Sequence, residues 1–243
     1  MKKSLSMIIT LLFLFSAPAH AVECRNWYFV SRSPNARPEL PALPQESGLA
    51  IGKEDKVLYL TFDAGYENGN VEKIVDILHE KNVPGAFFVL THFVKANPEL
   101  VKKMTANGNL VCNHTSFHHN IAALSKEALE EELAGVAREY EAVTGKKMAP
   151  FFRPPEGAYS EEALKQVKNA GYRTVFWSLA YKDWDNNAQM SPEKALSILE
   201  TKVHDGAVIL LHPTSQTNAE ILGTFIDRMT AKGYRFASLE ELA

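Results

Sequence analysis

Val57-Leu58-Tyr59-Leu60-Thr61-Phe62-Asp63-Ala64-Gly65 is the stretch on which the fold turns. Six residues of apolar, aromatic and β-branched character run, without alternation, into an acid and two small residues. A continuous run of this kind suits a strand buried on both faces, as in a parallel sheet. Six further runs share its character: 85–90, 109–114, 150–155, 174–180, 207–212 and 235–239. Between them lie amphipathic stretches with helix punctuation, predicted over 69–81, 98–107, 125–145, 160–170, 191–204 and 218–232. In the third, Ser125 can cap the start and Gly145 can take the left-handed position after the end. Strands alternating with helices predict an α/β fold with parallel pairing. Seven strands and six helices fit either a doubly wound open sheet or a barrel short of one unit.

Before this body, Met1-Lys2-Lys3, the apolar run from Met7 to Phe15 and Ala19-His20-Ala21 read as a secretory signal peptide over 1–21, too short in its apolar part to span a bilayer. The alternative is an uncleaved N-terminal anchor. Residues 22–55, with Pro34, Pro38, Pro41 and Pro44, read as an irregular lead-in, and 56–243 as one catalytic domain. The formal charge of -3 becomes -5 once Lys2 and Lys3 are removed, with no basic face to suggest nucleic acid. The composition, 46% apolar and 23% charged, excludes a disordered tail or a collagen. Cys24 lacks the residues of a lipobox before it. It either pairs with Cys112 in an oxidising compartment, or Cys112 is a buried apolar thiol.

Chemistry gathers where strands end, which is where parallel α/β proteins build their sites. Asp63 follows the first strand; alone it would read as a turn residue or a cap. His114 and His118 follow the third, four residues apart, so that one helical turn would aim both imidazoles at one metal ion. His119 reads as a supporting or surface residue. Arg153 follows the fourth strand, in a loop stiffened by Pro154 and Pro155. Asp183-Trp184 follow the fifth, and His212 the sixth. Together they form a hydrolytic set: metal, base, orienting cation, apolar wall and acid.

Thr61-Phe62-Asp63-Ala64-Gly65, His114-Thr115-x-x-His118, Arg153-Pro154-Pro155-x-Gly157, Asp183-Trp184 and Leu210-Leu211-His212 resemble the five ordered motifs of the polysaccharide deacetylases (NodB homology, carbohydrate esterase family 4). Asn26-Trp27-Tyr28-Phe29, Gly65-Tyr66-Glu67-Asn68-Gly69 and Thr174-Val175-Phe176-Trp177-Ser178 resemble its delta-lactam-biosynthetic (PdaA-like) branch. The resemblance implies a distorted (β/α)7 barrel, with Asp63 as general base, His212 as general acid, Arg153 orienting Asp63 and Asp183 holding His212. It makes His114 and His118 ligands of a divalent metal ion, zinc by preference, and Trp184, Leu210 and Pro155 the substrate wall. It implies a secreted, monomeric hydrolase of the cell envelope that acts on peptidoglycan strands, removing acetate from N-acetylmuramic acid on the way to a muramic δ-lactam. An N-acetylglucosamine deacetylase and an inactive glycan-binding protein are the alternatives. Two residues depart from the family pattern. Ala64 stands where the usual third ligand is an Asp, so metal is expected to bind weakly unless the Glu67-Asn68 loop supplies a ligand; Glu156 replaces an aromatic.

Overall fold

A computed structural model describes residues 23–43 and 48–242, so the expected signal peptide lies outside the described residues. The elements run β1 (Arg25–Asn26), β2 (Val57–Ala64), α1 (Asn70–Glu80), β3 (Gly85–Val89), α2 (Thr91–Ala96), α3 (Pro98–Ala106), β4 (Leu110–Asn113), α4 (Lys126–Thr144), β5 (Phe151–Phe152), β6 (Ala158–Tyr159), α5 (Glu161–Asn169), β7 (Arg173–Thr174), α6 (Pro192–Lys202), β8 (Val208–Leu211), α7 (Gln216–Ala231), β9 (Arg235–Phe236) and α8 (Leu239–Leu242). Seven strands form one parallel sheet in the order β7-β5-β4-β3-β2-β8, with β9 on the first two residues of β2. The sheet curls into a half-barrel, and a parallel bridge from Leu179 to Ile209 links the chain after β7 to β8. This is the distorted (β/α)7 arrangement rather than the open doubly wound sheet.

The pleat of β2 explains its unbroken apolar run. Leu58, Leu60, Phe62 and Ala64 point outward into a core shared with Val71, Ile74 and Leu78 of α1 and Phe225 of α7. Val57 and Tyr59 point inward beside Ala86, Phe88, Cys112 and Val208, which fill the barrel. The same alternation sends Thr61 and Asp63 inward, toward the site.

Four serines set four helix starts: Ser125, Ser160, Ser191 and Ser215 each accept a hydrogen bond from the backbone N–H three residues on. After Ser215, α7 begins at Gln216, two residues before the predicted Asn218. Gly145 ends α4 at φ 68°. Helix α2 was not predicted; it fits between Leu90 and Asn97, whose φ of -131° interrupts it just before Pro98 opens α3. The predicted strand over 174–180 pairs regularly only at Arg173–Thr174. Beyond it Leu49 of the lead-in takes the backbone groups of Thr174 and Phe176, at 2.8 and 2.7 Å.

The lead-in lies against the barrel. Trp27 stacks on Phe176, ring centroids 4.4 Å apart, and its indole N–H donates to the Trp177 carbonyl at 2.8 Å. Both cysteines are free: Cys24 is exposed and Cys112 is fully buried in β4, its thiol pushed up by burial. The disulfide is therefore absent, and Cys112 is an apolar core residue.

Candidate active site

At the carboxyl ends of the strands lies a cleft of about 800 Å³, lined among others by Asp63, His114, His118, Leu210 and His212. Asp63 sits near the end of β2, and Arg153, fully buried just after β5, holds it. The guanidinium donates to Asp63 Oδ1 at 2.7 Å, to Thr61 Oγ1 at 2.8 Å and to the carbonyls of Val175 and Phe176 at 3.0 and 3.3 Å. Phe88 lies beneath it, 4.2 Å from ring centroid to guanidinium carbon. Burial pulls the Asp63 carboxyl upward, but the charges of Arg153, His114 and His212 outweigh it, so Asp63 stays below its ordinary value and ionised.

His212 follows β8 directly. Its Nδ1–H donates to Asp183 Oδ1 at 2.7 Å, and its backbone N–H to Asp183 Oδ2 at 2.8 Å. Burial opposes protonation of the ring; the Asp183 hydrogen bond and charge, with Asp63 nearby, win and raise its pKa. The outcome is an ionised acid facing an imidazole biased toward its protonated form.

Two residues with no assigned role in the sequence complete this arm. The Asn218 amide, in the first turn of α7, donates to Asp183 Oδ2 at 2.6 Å and to the His212 carbonyl at 3.0 Å. Tyr181 donates to Asn218 Oδ1 at 2.5 Å. An Asn at the predicted start of a helix is the one sequence signal, and it is shared with ordinary caps.

The histidine pair comes together by a route other than the expected helical turn. Residues 114–119 form a loop in which Thr115 and His118 adopt left-handed backbone, φ 72° and 61°, and Thr115 Oγ1 accepts the His118 N–H at 2.9 Å. The two rings lie 5.0 Å apart, nearly perpendicular. His114 Nδ1–H donates to the Arg153 carbonyl at 2.8 Å, which leaves Nε2 free, 3.7 Å from Asp63 Oδ2. Burial pushes the His114 pKa down to about 4, so the ring is neutral near pH 7. A neutral imidazole oriented through its other nitrogen is the usual state of a metal-ligating histidine. The donors therefore fit a divalent ion, and imidazole suits zinc.

The expected third-ligand position does not face the cleft. Ala64 is fully buried in the helix-side core, on the opposite face of β2 from Asp63. The Glu67-Asn68 loop supplies no replacement: the Glu67 carboxylate accepts the Gly69 N–H at the start of α1, and the Asn68 amide donates to the Thr214 carbonyl at 2.8 Å. Among the described residues no three His, Cys, Asp or Glu side chains cluster as a ready metal site.

Trp184 is 59% exposed and lines the cleft with Leu210, Tyr66 and Phe29. Pro155 is buried in a 3₁₀ turn and is not among the lining residues; its neighbour Glu156, at φ 57°, is. Among the described residues of that lining Lys182 is the only lysine or arginine, 5.1 Å above the Trp184 ring and 3.8 Å from Asp185.

Comparison with known proteins gives this geometry a context. The family model described as polysaccharide deacetylase matches residues 50–175. The peptidoglycan-N-acetylmuramic acid deacetylase PdaA of Bacillus subtilis is 39% identical over 238 residues, covering 93% of this chain and 89% of that protein. The solved structure of B. subtilis PdaA, a family 4 carbohydrate esterase, superposes with a TM-score of 0.88 at 37% identity, covering 90% of this chain and 97% of the other. A family 4 pseudoenzyme from Bacillus anthracis superposes with a TM-score of 0.76 at 28% identity, over 82% of this chain and 69% of that one. With its strand order, its motif residues at the strand ends and these relatives, the chain belongs to the polysaccharide deacetylases of carbohydrate esterase family 4.

Proposed function

We propose that the protein is an extracytoplasmic peptidoglycan deacetylase that removes the acetyl group from N-acetylmuramic acid in glycan strands lacking the stem peptide. The observation that carries the reading is the pairing of Asp63 with His212 across one cleft, each fixed by its own partner, Arg153 and Asp183. Asp63 takes a proton from water as the water oxygen bonds to the acetyl carbon. His212 gives its Nε2 proton to the departing nitrogen as the C–N bond breaks, releasing acetate and a free amine. A divalent ion held by His114 and His118 supplies, when bound, polarisation of the acetyl carbonyl and a lower pKa for water. Arg153 keeps Asp63 ionised and aimed, and Leu210 offers an apolar wall to the acetyl methyl.

Lys182 favours muramic acid over glucosamine. Only the muramic sugar carries a lactyl carboxylate, and without a stem peptide that group is an anion beside the reacting acetamide. Its carboxyl is also what the freed amine closes on, with loss of water, to give the δ-lactam. The two nearest readings are an N-acetylglucosamine deacetylase and an inactive glycan binder. The complete acid-base pair argues against the second, since a binder gains nothing from it.

The test is mass spectrometry of peptidoglycan digested with the protein after chelation and after Zn²⁺ is added back. Loss of one acetyl group from peptide-free muramic acid, only with metal, is the expected result. Loss from glucosamine alone overturns the sugar assignment, and no change under any condition overturns the enzyme.

A further inference from the structure

We propose that Glu132, on α4, is a positioning residue for the metal-binding loop, acting through the backbone before His118 and the His119 ring after it. The inference rests on the reading of His114 and His118 as metal ligands. Thr115 and His118 both hold left-handed backbone without being glycine, which is strained and persists only where surroundings over-determine it. Asn113 Oδ1 accepts the Thr115 N–H at 3.0 Å and Thr115 Oγ1 that of His118 at 2.9 Å, and Glu132 holds the residues between and after them. The Glu132 side chain is buried, the residue being 5% exposed, and Oε2 accepts the N–H groups of Ser116 and Phe117 at 2.8 and 2.9 Å. Oε1 pairs with His119 Nδ1 at 2.6 Å, and the Glu132 backbone carbonyl accepts from Ser116 Oγ at 3.0 Å. One carboxylate thus grips the residues on both flanks of His118, whose own side chain is exposed. The helix is shaped for the contact: three residues on, a Cβ at Gly135 would lie 2.3 Å from Ser116 Oγ. Because Ala64 and Glu67 add no ligand from their present positions, affinity rests on two imidazoles, and their prior alignment weighs more than in a three-ligand site. Outer groups that align ligands typically carry 10–100-fold in metal affinity.

Glu132→Ala strands two N–H groups and risks the fold, so the decisive variants are Glu132→Gln, which keeps an acceptor but removes the carboxylate, and Gly135→Ala, which pushes the Ser116 hydroxyl off the Glu132 carbonyl and leaves the carboxylate itself unaltered. Zn²⁺ affinity is measured by isothermal titration, well below the melting temperature of each variant. The expected result is at least a tenfold weakening in both, with the far-UV spectrum unchanged. Wild-type affinity in folded Glu132→Gln and Gly135→Ala overturns the proposal while leaving the metal reading intact. Absence of Zn²⁺ binding by the unmodified protein overturns the metal reading and this proposal with it.

Discussion

Asp63 is ionised in a buried place because Arg153 is there, and Arg153 is tolerated in a buried place because each of its faces finds an acceptor or a ring. Asp63→Asn keeps the shape and one acceptor but cannot take a proton. It should fold, bind glycan and lose about 10²–10⁴-fold in kcat, the usual worth of general-base assistance; near-normal kcat in a kinetic assay would remove Asp63 from the mechanism. The opposite arm predicts a pH effect. His212 must be protonated to act, and its pKa is raised, so kcat/KM falls as pH rises through that raised value. Asp183→Asn removes the hydrogen-bonded charge that raises it and leaves burial, which lowers it. The alkaline limb of the kcat/KM profile should therefore move to lower pH, and a limb that stays in place would mean that another group is the acid.

At the scale of the element, a strand's pleat decides which residues can do chemistry. The sequence marks Asp63, His114, Arg153, Asp183 and His212 as polar residues at the ends of apolar runs, and the seven strands bring those ends to one rim. What it does not carry is the direction of a side chain at a strand end, or which of several backbones a loop adopts. Ala64 shows the first limit, because strand β2 keeps its pairing with β3 through Ala64 and Val89 and turns position 64 outward. The histidine loop shows the second, held by Glu132 from a helix 13 to 16 residues further along the chain and unreadable from the spacing of the histidines. Asn218 and Tyr181 are illegible for the same reason, since Asn218 finds Asp183 35 residues off and Tyr181 finds Asn218 37 residues off, and only folding joins them. The consequence for Ala64→Asp is a carboxylate placed among Phe62, Val71 and Leu211-class neighbours of the helix-side core. Such burial costs several kcal/mol per ion, and a domain of this size loses about 2–4 °C per kcal/mol. Metal-free Ala64→Asp should melt at least 5 °C below the parent by circular dichroism; an unchanged melt would show that the new side chain reaches the cleft after all.

At the scale of the molecule, the lead-in acts as part of the catalytic body. Trp27 anchors it against Phe176 and Trp177, on the strand edge that Leu49 also covers, and Phe29, two residues on, lines the cleft beside Trp184 and Tyr66. One side chain therefore joins the stability of the barrel to the shape of the substrate wall. Trp27→Ala removes a buried indole, a change that typically costs about 3–5 kcal/mol, or about 6–20 °C in melting temperature at this size. Because Asp63 and His212 lie at the ends of β2 and β8, with Arg153 just after β5 and Asp183 between β7 and α6, and none of them hydrogen-bonds to Trp27, the chemical step is untouched where the variant is folded. The expected signature at a temperature well below the melt is a raised KM with kcat within about twofold of the parent, since the lost group contributes binding and not proton transfer. A fall in kcat with KM unchanged would place the influence of the lead-in on the acid-base pair instead. A full loss of melting temperature with both constants unchanged would make Trp27 a staple of the barrel and leave Phe29 positioned by other contacts.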